Sequence, residues 1–168
     1  MTYTVDFNGH LPSFRNWLYT KVGDLSSGKL YPYLQSRTVY ACPTDRLELA
    51  RKTAAAAVTN TSGRGPFTMH TAPRDYSYSM NCGICHTTDL INFKAPSETL
   101  LYMEAVLDRN DYTGEAGPSM GSHTLALRHA RKGHMLMSDG HVERMDQKTA
   151  ERAESRRRFW FPTDDTRG

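Results

Sequence analysis

Hydrophobic and polar residues alternate most regularly between His134 and Met145. His134 to Ser138 and His141 to Met145 each read as a strand of period two, and Asp139-Gly140 reads as the turn between them. A two-residue type I′ turn needs φ > 0 at both central positions, which Asp and Gly tolerate best. That geometry pairs Ser138 with His141, Met137 with Val142 and Met135 with Arg144. It turns Met135, Met137 and Val142 toward one core.

The other elements follow from the same pattern. Residues 1–12 are extended, with Asn8-Gly9 as a turn and Pro12 as a breaker. Ser13 is placed to cap a short helix from Phe14 to Val22 that buries Trp17 and Leu18. Asp24 to Lys29 is a loop, Tyr31 to Leu34 a single turn, and Arg37 to Cys42 a strand by its β-branched and aromatic content. Pro43-Thr44-Asp45 stops that strand, and Asp45 caps a helix carrying Leu47, Leu49 and the run Ala54 to Ala57. A loop from Asn60 to Pro73 leads to a strand from Tyr76 to Met80 and a polar connection from Cys82 to Asn92. Leu100 to Ala105 is a buried strand. Leu107 to Ser122 is an acidic, glycine-containing loop, and Thr124 to His129 is a strand leading into the hairpin. Asp146 caps a charged helix reaching Arg158, after which Phe159-Trp160-Phe161 folds back over an edge of the sheet. This order predicts one α+β domain over 1–168, an antiparallel sheet with peripheral helices and long loops.

Composition narrows the function classes. With 38% hydrophobic and 10% aromatic residues, the chain of 168 residues can build a real core. A net charge of +3, without a basic motif interleaved with aromatics, gives no reason to expect nucleic acid as a partner. No apolar run approaches the ~18 residues of a membrane span, and no signal peptide is visible. No serine, cysteine or carboxylate pair sits in a recognisable catalytic context, so the expected role is non-catalytic.

Three stretches carry candidate chemistry. Cys82-Gly-Ile-Cys85-His86 has the spacing that attaches haem c, with His86 as axial ligand, which would make the protein a monohaem electron carrier. Cys42, Cys82, Cys85 and His86 could instead form a Cys₃His zinc site. Asp108, Asn110, Asp111 and Glu115 are hard oxygen donors suited to calcium, although their spacing departs from an EF-hand. His129, Asp139 and His141, with His134 on the same hairpin, are either a metal or acid–base set or structural groups. In the structural reading Asp139 makes the turn and His129 bonds a neighbouring loop. Tyr and Trp in the long loops leave open a module that binds a surface polymer.

The hairpin region also carries a family resemblance. Arg128-His129, Gly133, Met135-Leu136-Met137 and Asp139-Gly140-His141-Val142 resemble the terminal His-x9-Asp-Gly motif of bacterial prepilin-like proteins, the pseudopilins related to type II secretion. Asp6 to Pro12, Gly28 to Leu34, Val39 to Asp45, Ser77 to Asn81 and Ala95 to Ala105 resemble further blocks of that family, in the same order. The resemblance implies a pilin-like head domain, exported to the periplasm, cell envelope or surface. It implies partners among other pilins, copies of itself and the secretion or pilus machinery. Members begin with a cleaved leader and a long apolar helix, and this sequence starts where that helix would end. The expectation is therefore that the helix was removed, with Met1 as a start codon and membrane attachment only through the missing part. Type II secretion pseudopilins hold calcium in a loop of the head, which adds to the calcium expectation. Export also makes a disulfide from Cys42 to Cys82 or Cys85 the first expectation for the thiols, leaving one of three unpaired.

Overall fold

A computed structural model describes residues 17, 18, 20, 21, 23–59, 73–84, 90–109, 111, 114–118 and 124–164. The expectations for residues 1–16 and for the part of the loop over 60–72 lie outside the described residues. The architecture is α+β, as the element order predicts. Helices α1 (Tyr31–Leu34) and α2 (Pro43–Thr59) precede strands β1 (Tyr78–Asn81), β2 (Leu100–Glu104), β3 (Glu115–Ala116), β4 (Gly133–Met137) and β5 (Val142–Met145). Helices α3 (Gln147–Glu154) and α4 (Arg157–Trp160) follow. Sheet order is β3-β1-β2-β4-β5. The sheet is mixed rather than antiparallel throughout, because β3 lies parallel to β1. A two-residue strand inside a loop leaves no periodic signal in the sequence.

Leu100, Leu101, Met103, Met135, Met137, Met145, Phe159 and Trp160 are buried together with Trp17, Leu18 and Leu25. Trp17 stacks on Tyr40 with ring centroids 6.4 Å apart and meets Tyr102 edge-on at 4.9 Å. Asp146 caps α3 by accepting from the Thr149 N–H at 2.9 Å, as its position predicts. The aromatic run also folds inward: Phe159 and Trp160 are buried, and the Trp160 carbonyl accepts from Asn81 Nδ2 at 2.8 Å. No helix among the described residues is long and apolar enough to cross a membrane.

The hairpin exists, but its register differs by one residue from the predicted one. His134 pairs with Arg144, Met135 with Glu143 and Leu136 with Val142. The loop has three residues, closed by the Met137 N–H on the His141 carbonyl at 2.9 Å and the Gly140 N–H on the Met137 carbonyl at 2.9 Å. Asp139 keeps an ordinary negative φ and accepts from the His141 N–H at 3.1 Å, while Gly140 alone is left-handed at φ 95°. A one-residue slip exchanges the faces of a strand. Met135 and Met137 are buried as expected, but Val142 shares the face of Leu136 and is 62% exposed. Gly140→Val should still cost more than ~1 kcal/mol, because a β-branched residue is disfavoured at this φ although nothing crowds the site. Urea unfolding checks this, and an unchanged midpoint contradicts it.

Two other strand expectations fail. Arg37–Tyr40 is a 3₁₀ turn, held by local bonds such as the Ala41 N–H to the Thr38 carbonyl. Burial of Tyr40 against Trp17 supplies the apolar pattern that reads as a strand. In Thr124–His129 only Leu125 bridges to Ala105, and the chain then turns back at His129. Asp45 does not cap α2, which begins two residues earlier at Pro43; its carboxylate is committed elsewhere.

Candidate functional site

Two connected polar clusters lie on either side of the start of β1. The first centres on Asp45, buried in the opening turn of α2. Arg74 donates to both of its oxygens, Nη2 at 2.9 Å from Oδ1, and the Arg74 guanidinium also reaches the carbonyls of Tyr76 and Asp108. The Ser77 hydroxyl donates to Asp45 Oδ2 at 2.6 Å, and Arg128 Nη2 lies 2.7 Å from Oδ1. Burial alone would raise the Asp45 pKa; the bonds from Arg74 and Ser77 and the charges of Arg74 and Arg128 outweigh it and hold the carboxyl below its ordinary value. Leu47 is exposed, so this network, rather than an apolar stripe, ties the start of α2 to the body.

The second cluster joins Cys42, Glu104, His129 and His134. Cys42 immediately precedes α2, and its N–H donates to the Ser77 hydroxyl at 3.0 Å. Glu104 ends β2 and is buried at 3% side-chain exposure. His129 Nε2 faces Glu104 Oε1 at 2.8 Å and Cys42 Sγ at 3.5 Å. The other carboxylate oxygen, Oε2, accepts from the His134 N–H at 3.0 Å and lies 3.2 Å from His134 Nδ1. The imidazole rings are 4.8 Å apart. Tyr78 stands nearby; burial first, then the charges of Glu104 and Cys42, push its hydroxyl pKa up.

The backbone that presents His129 is strained. His129 and Lys132 exchange two bonds, N–H to carbonyl at 3.0 and 3.1 Å, around Ala130 and Arg131. Both central residues have positive φ, 52° and 62°, as a type I′ turn demands, and neither is Gly. This is the turn type expected at Asp139-Gly140, found nine residues earlier in a sequence that gives no hint of it. Gly133, just after the turn, lets β4 pass close under the preceding segment: a Cβ there would lie 2.3 Å from the Ala126 carbonyl oxygen. Ala130→Gly should raise stability by up to ~1 kcal/mol, the left-handed penalty less the added freedom of the unfolded chain. A lower urea midpoint for that variant would contradict the strain.

Of the residues singled out from sequence, Cys42 and His129 meet, and Arg128 joins the Asp45 cluster. Asp139 and His141 do not join them. They pair at the exposed hairpin turn, His141 Nδ1 2.6 Å from Asp139 and Nε2 3.0 Å from Glu143, which raises the His141 pKa. His129 bonds a strand carboxylate, not a neighbouring loop.

The expected pairing of Cys42 with Cys82 is also corrected. Cys42 and Cys82 are both free. Cys42 sits beside Ser77 at the start of β1 and Cys82 follows its end, so about five residues of extended chain, roughly 16 Å, separate them. That exceeds the reach of a disulfide and of one shared zinc ion. Burial pushes the Cys82 thiol pKa up, with the Glu115 charge adding to it. Cys85 and His86 lie outside the described residues, and with them the rest of the haem motif. Asn110 does too. Asp111 accepts from the Tyr76 hydroxyl at 2.6 Å and Glu115 is buried on β3. Among the described residues, Asp108, Asp111 and Glu115 do not converge as calcium ligands would; the group that converges is Cys42, Glu104 and His129, with donor atoms all within 4.8 Å.

Sequence reasoning missed Glu104 and Arg74 as site residues. Glu104 had a signal: it is the one charged residue in the otherwise apolar run Leu100 to Ala105. Arg74 had none, because the carboxylate it pairs with is 29 residues away. An apolar groove of about 560 Å³ runs from Trp17, Leu34 and Tyr40 across Tyr102 and Leu136 to Glu104 and His134. Compared with known proteins, the chain matches no family model, no curated protein and no solved structure.

Proposed function

We propose that this chain is the head domain of a pseudopilin-like protein, working outside the cytoplasm in a type II secretion or type IV pilus-like assembly. Its role is assembly and surface contact rather than catalysis. Its partners are other pilins or further copies of itself, engaged through the apolar helix that the family carries ahead of the head. The observation that supports this reading is the way four of the resembling blocks interlock. Cys42 and Asp45 come from the block ending at Asp45, Ser77 from the block it opens, Glu104 from the β2 block, and Arg128 and His129 from the terminal motif. Ser77 bonds both Cys42 and Asp45, Asp45 pairs with Arg128, and Glu104 pairs with His129. Blocks recognised separately in the sequence thus form one buried polar unit, which gives a physical reason for them to occur together.

The test is cellular. The complete gene, tagged at its C-terminus, is expressed in its host with and without the prepilin peptidase. The reading expects a tagged protein that protease degrades in spheroplasts but not in intact cells with their outer barrier, and that gains mass when the peptidase is deleted. A tagged protein protected in spheroplasts, or one of unchanged mass without the peptidase, overturns it.

A further inference from the structure

We propose that Cys42, Glu104 and His129 form a binding site for one thiolate-preferring divalent metal ion, of the zinc class, with the fourth position left to water. The argument begins with charge. Glu104 is buried at 3% side-chain exposure, and its ionic partners among the described residues are two imidazoles, with no Lys or Arg. The guanidinium groups nearby are committed elsewhere: that of Arg128 goes to Asp45, Glu48 and the Ala105 carbonyl, and that of Arg144 to the His129 carbonyl. A buried carboxylate beside a buried thiol asks for a cation between them. A zinc ion bound to a thiolate, a carboxylate and a neutral imidazole gives a site of zero net charge. Binding displaces the Cys42 thiol proton to solvent, and no electron changes hands.

Geometry agrees with charge. The Sγ–Nε2 separation of 3.5 Å is what a tetrahedral zinc imposes on a sulfur and a nitrogen, about 3.5 Å from bonds of ~2.3 and ~2.0 Å. His129 Nε2 and Glu104 Oε1, at 2.8 Å, need only to part by about 0.5 Å. The same contacts argue against a thiol nucleophile. A Cys–His–carboxylate triad places the thiol on one ring nitrogen and the carboxylate on the other. Here both face Nε2, as ligands around a shared centre do.

The surroundings hold the donors in place. His134 fixes Glu104 through Oε2, by backbone and ring, leaving Oε1 toward His129. His129 stands on the strained Ala130-Arg131 turn, and Arg144 donates to its carbonyl at 2.7 Å. Local strain of this kind collects where a side chain has to be held in a set position. The mixed sulfur, nitrogen and oxygen donors select zinc or a similar ion over calcium and magnesium, which take oxygen alone.

Zinc itself is the probe, with the tag-free full chain. Titration against a chromophoric chelator is expected to give one zinc per chain, and X-ray absorption at the zinc edge one sulfur with the remaining ligands nitrogen or oxygen. Cobalt in its place should give a thiolate charge-transfer band. His134→Ala keeps all three donors and should weaken zinc about 10–100-fold. Cys42→Ser should weaken it further and abolish the cobalt band, whereas Cys82→Ser and His141→Ala should change neither. Because the absorption spectrum is read on the unaltered protein, a Cys42 variant that fails to fold does not decide the matter. No zinc bound in competition with the chelator, a sulfur count of zero or of two and more, or a charge-transfer band surviving Cys42→Ser overturns the proposal. Two sulfurs would move the metal to the Cys82 and Cys85 segment.

Discussion

Replacing Asp45 by Ala should destabilise the domain by about 3–5 kcal/mol, the cost of leaving buried guanidinium groups without their counter-charge. Arg74 is 3% exposed at its side chain and Arg128 9%, so water cannot take over the lost bonds. Against a typical total of about 5–15 kcal/mol, much of the population would unfold. The loss should begin at α2, whose opening turn hangs on this carboxylate. Asp45→Asn keeps the shape and one acceptor oxygen but not the charge, and should fall between wild type and Asp45→Ala. The pH dependence has a definite sign. Because the folded-state pKa of Asp45 is lowered, its contribution is complete above the ordinary aspartate pKa and is lost as pH falls toward the folded value. Urea midpoints of wild type should therefore drop steeply in acid, and those of Asp45→Asn less so. Parallel acid limbs for the two proteins, or a cost under ~1 kcal/mol for Asp45→Ala, would contradict the network.

Phe159→Ala should have a cost of similar size, about 3–5 kcal/mol, for a different reason. Phe159 is buried to 2% exposure and packs edge-to-face on Trp160 at 4.9 Å. It anchors a segment that is otherwise charged, from Gln147 to Arg158. Helix α3 buries little besides Ala150, so the two aromatics carry its attachment. The Arg158 carbonyl accepts from the Thr99 hydroxyl at 3.0 Å and the Trp160 carbonyl from Asn81, and both bonds depend on the aromatic anchor. Urea unfolding followed by circular dichroism measures the loss. A midpoint shift worth less than ~1 kcal/mol would mean that the C-terminal helices are held some other way.

These two residues stand at opposite ends of what can be read from sequence. Three adjacent aromatics after a charged helix have few places to go but inward, so the burial of Phe159 and Trp160 is legible in the chain. So are β2 as an apolar run, the hairpin as a turn between alternating segments, the Asp146 cap and the α+β class. Each rests on residues adjacent or a few positions apart, where propensity and period act directly.

What the sequence left undetermined depends on partners far along the chain or on a single residue of register. The slip of β5 turns on whether the loop takes two residues or three, and one Asp139 bond to the His141 N–H favours three. Arg37–Tyr40 has strand-like residues, yet it packs as a turn against Trp17. Export favours a disulfide from Cys42 to Cys82 or Cys85, but the length of β1 holds Cys82 away while the turn at Ala130-Arg131 delivers His129. Asp45 has the position of a local cap, yet Arg74 and Arg128 claim it from 29 and 83 positions away. By itself the sequence determined the class of fold, most of its elements and two of the three donor residues as chemically interesting. Only the tertiary structure decided that these donors meet at Glu104, because a buried carboxylate draws its partners from wherever the chain can bring them, not from its neighbours in sequence.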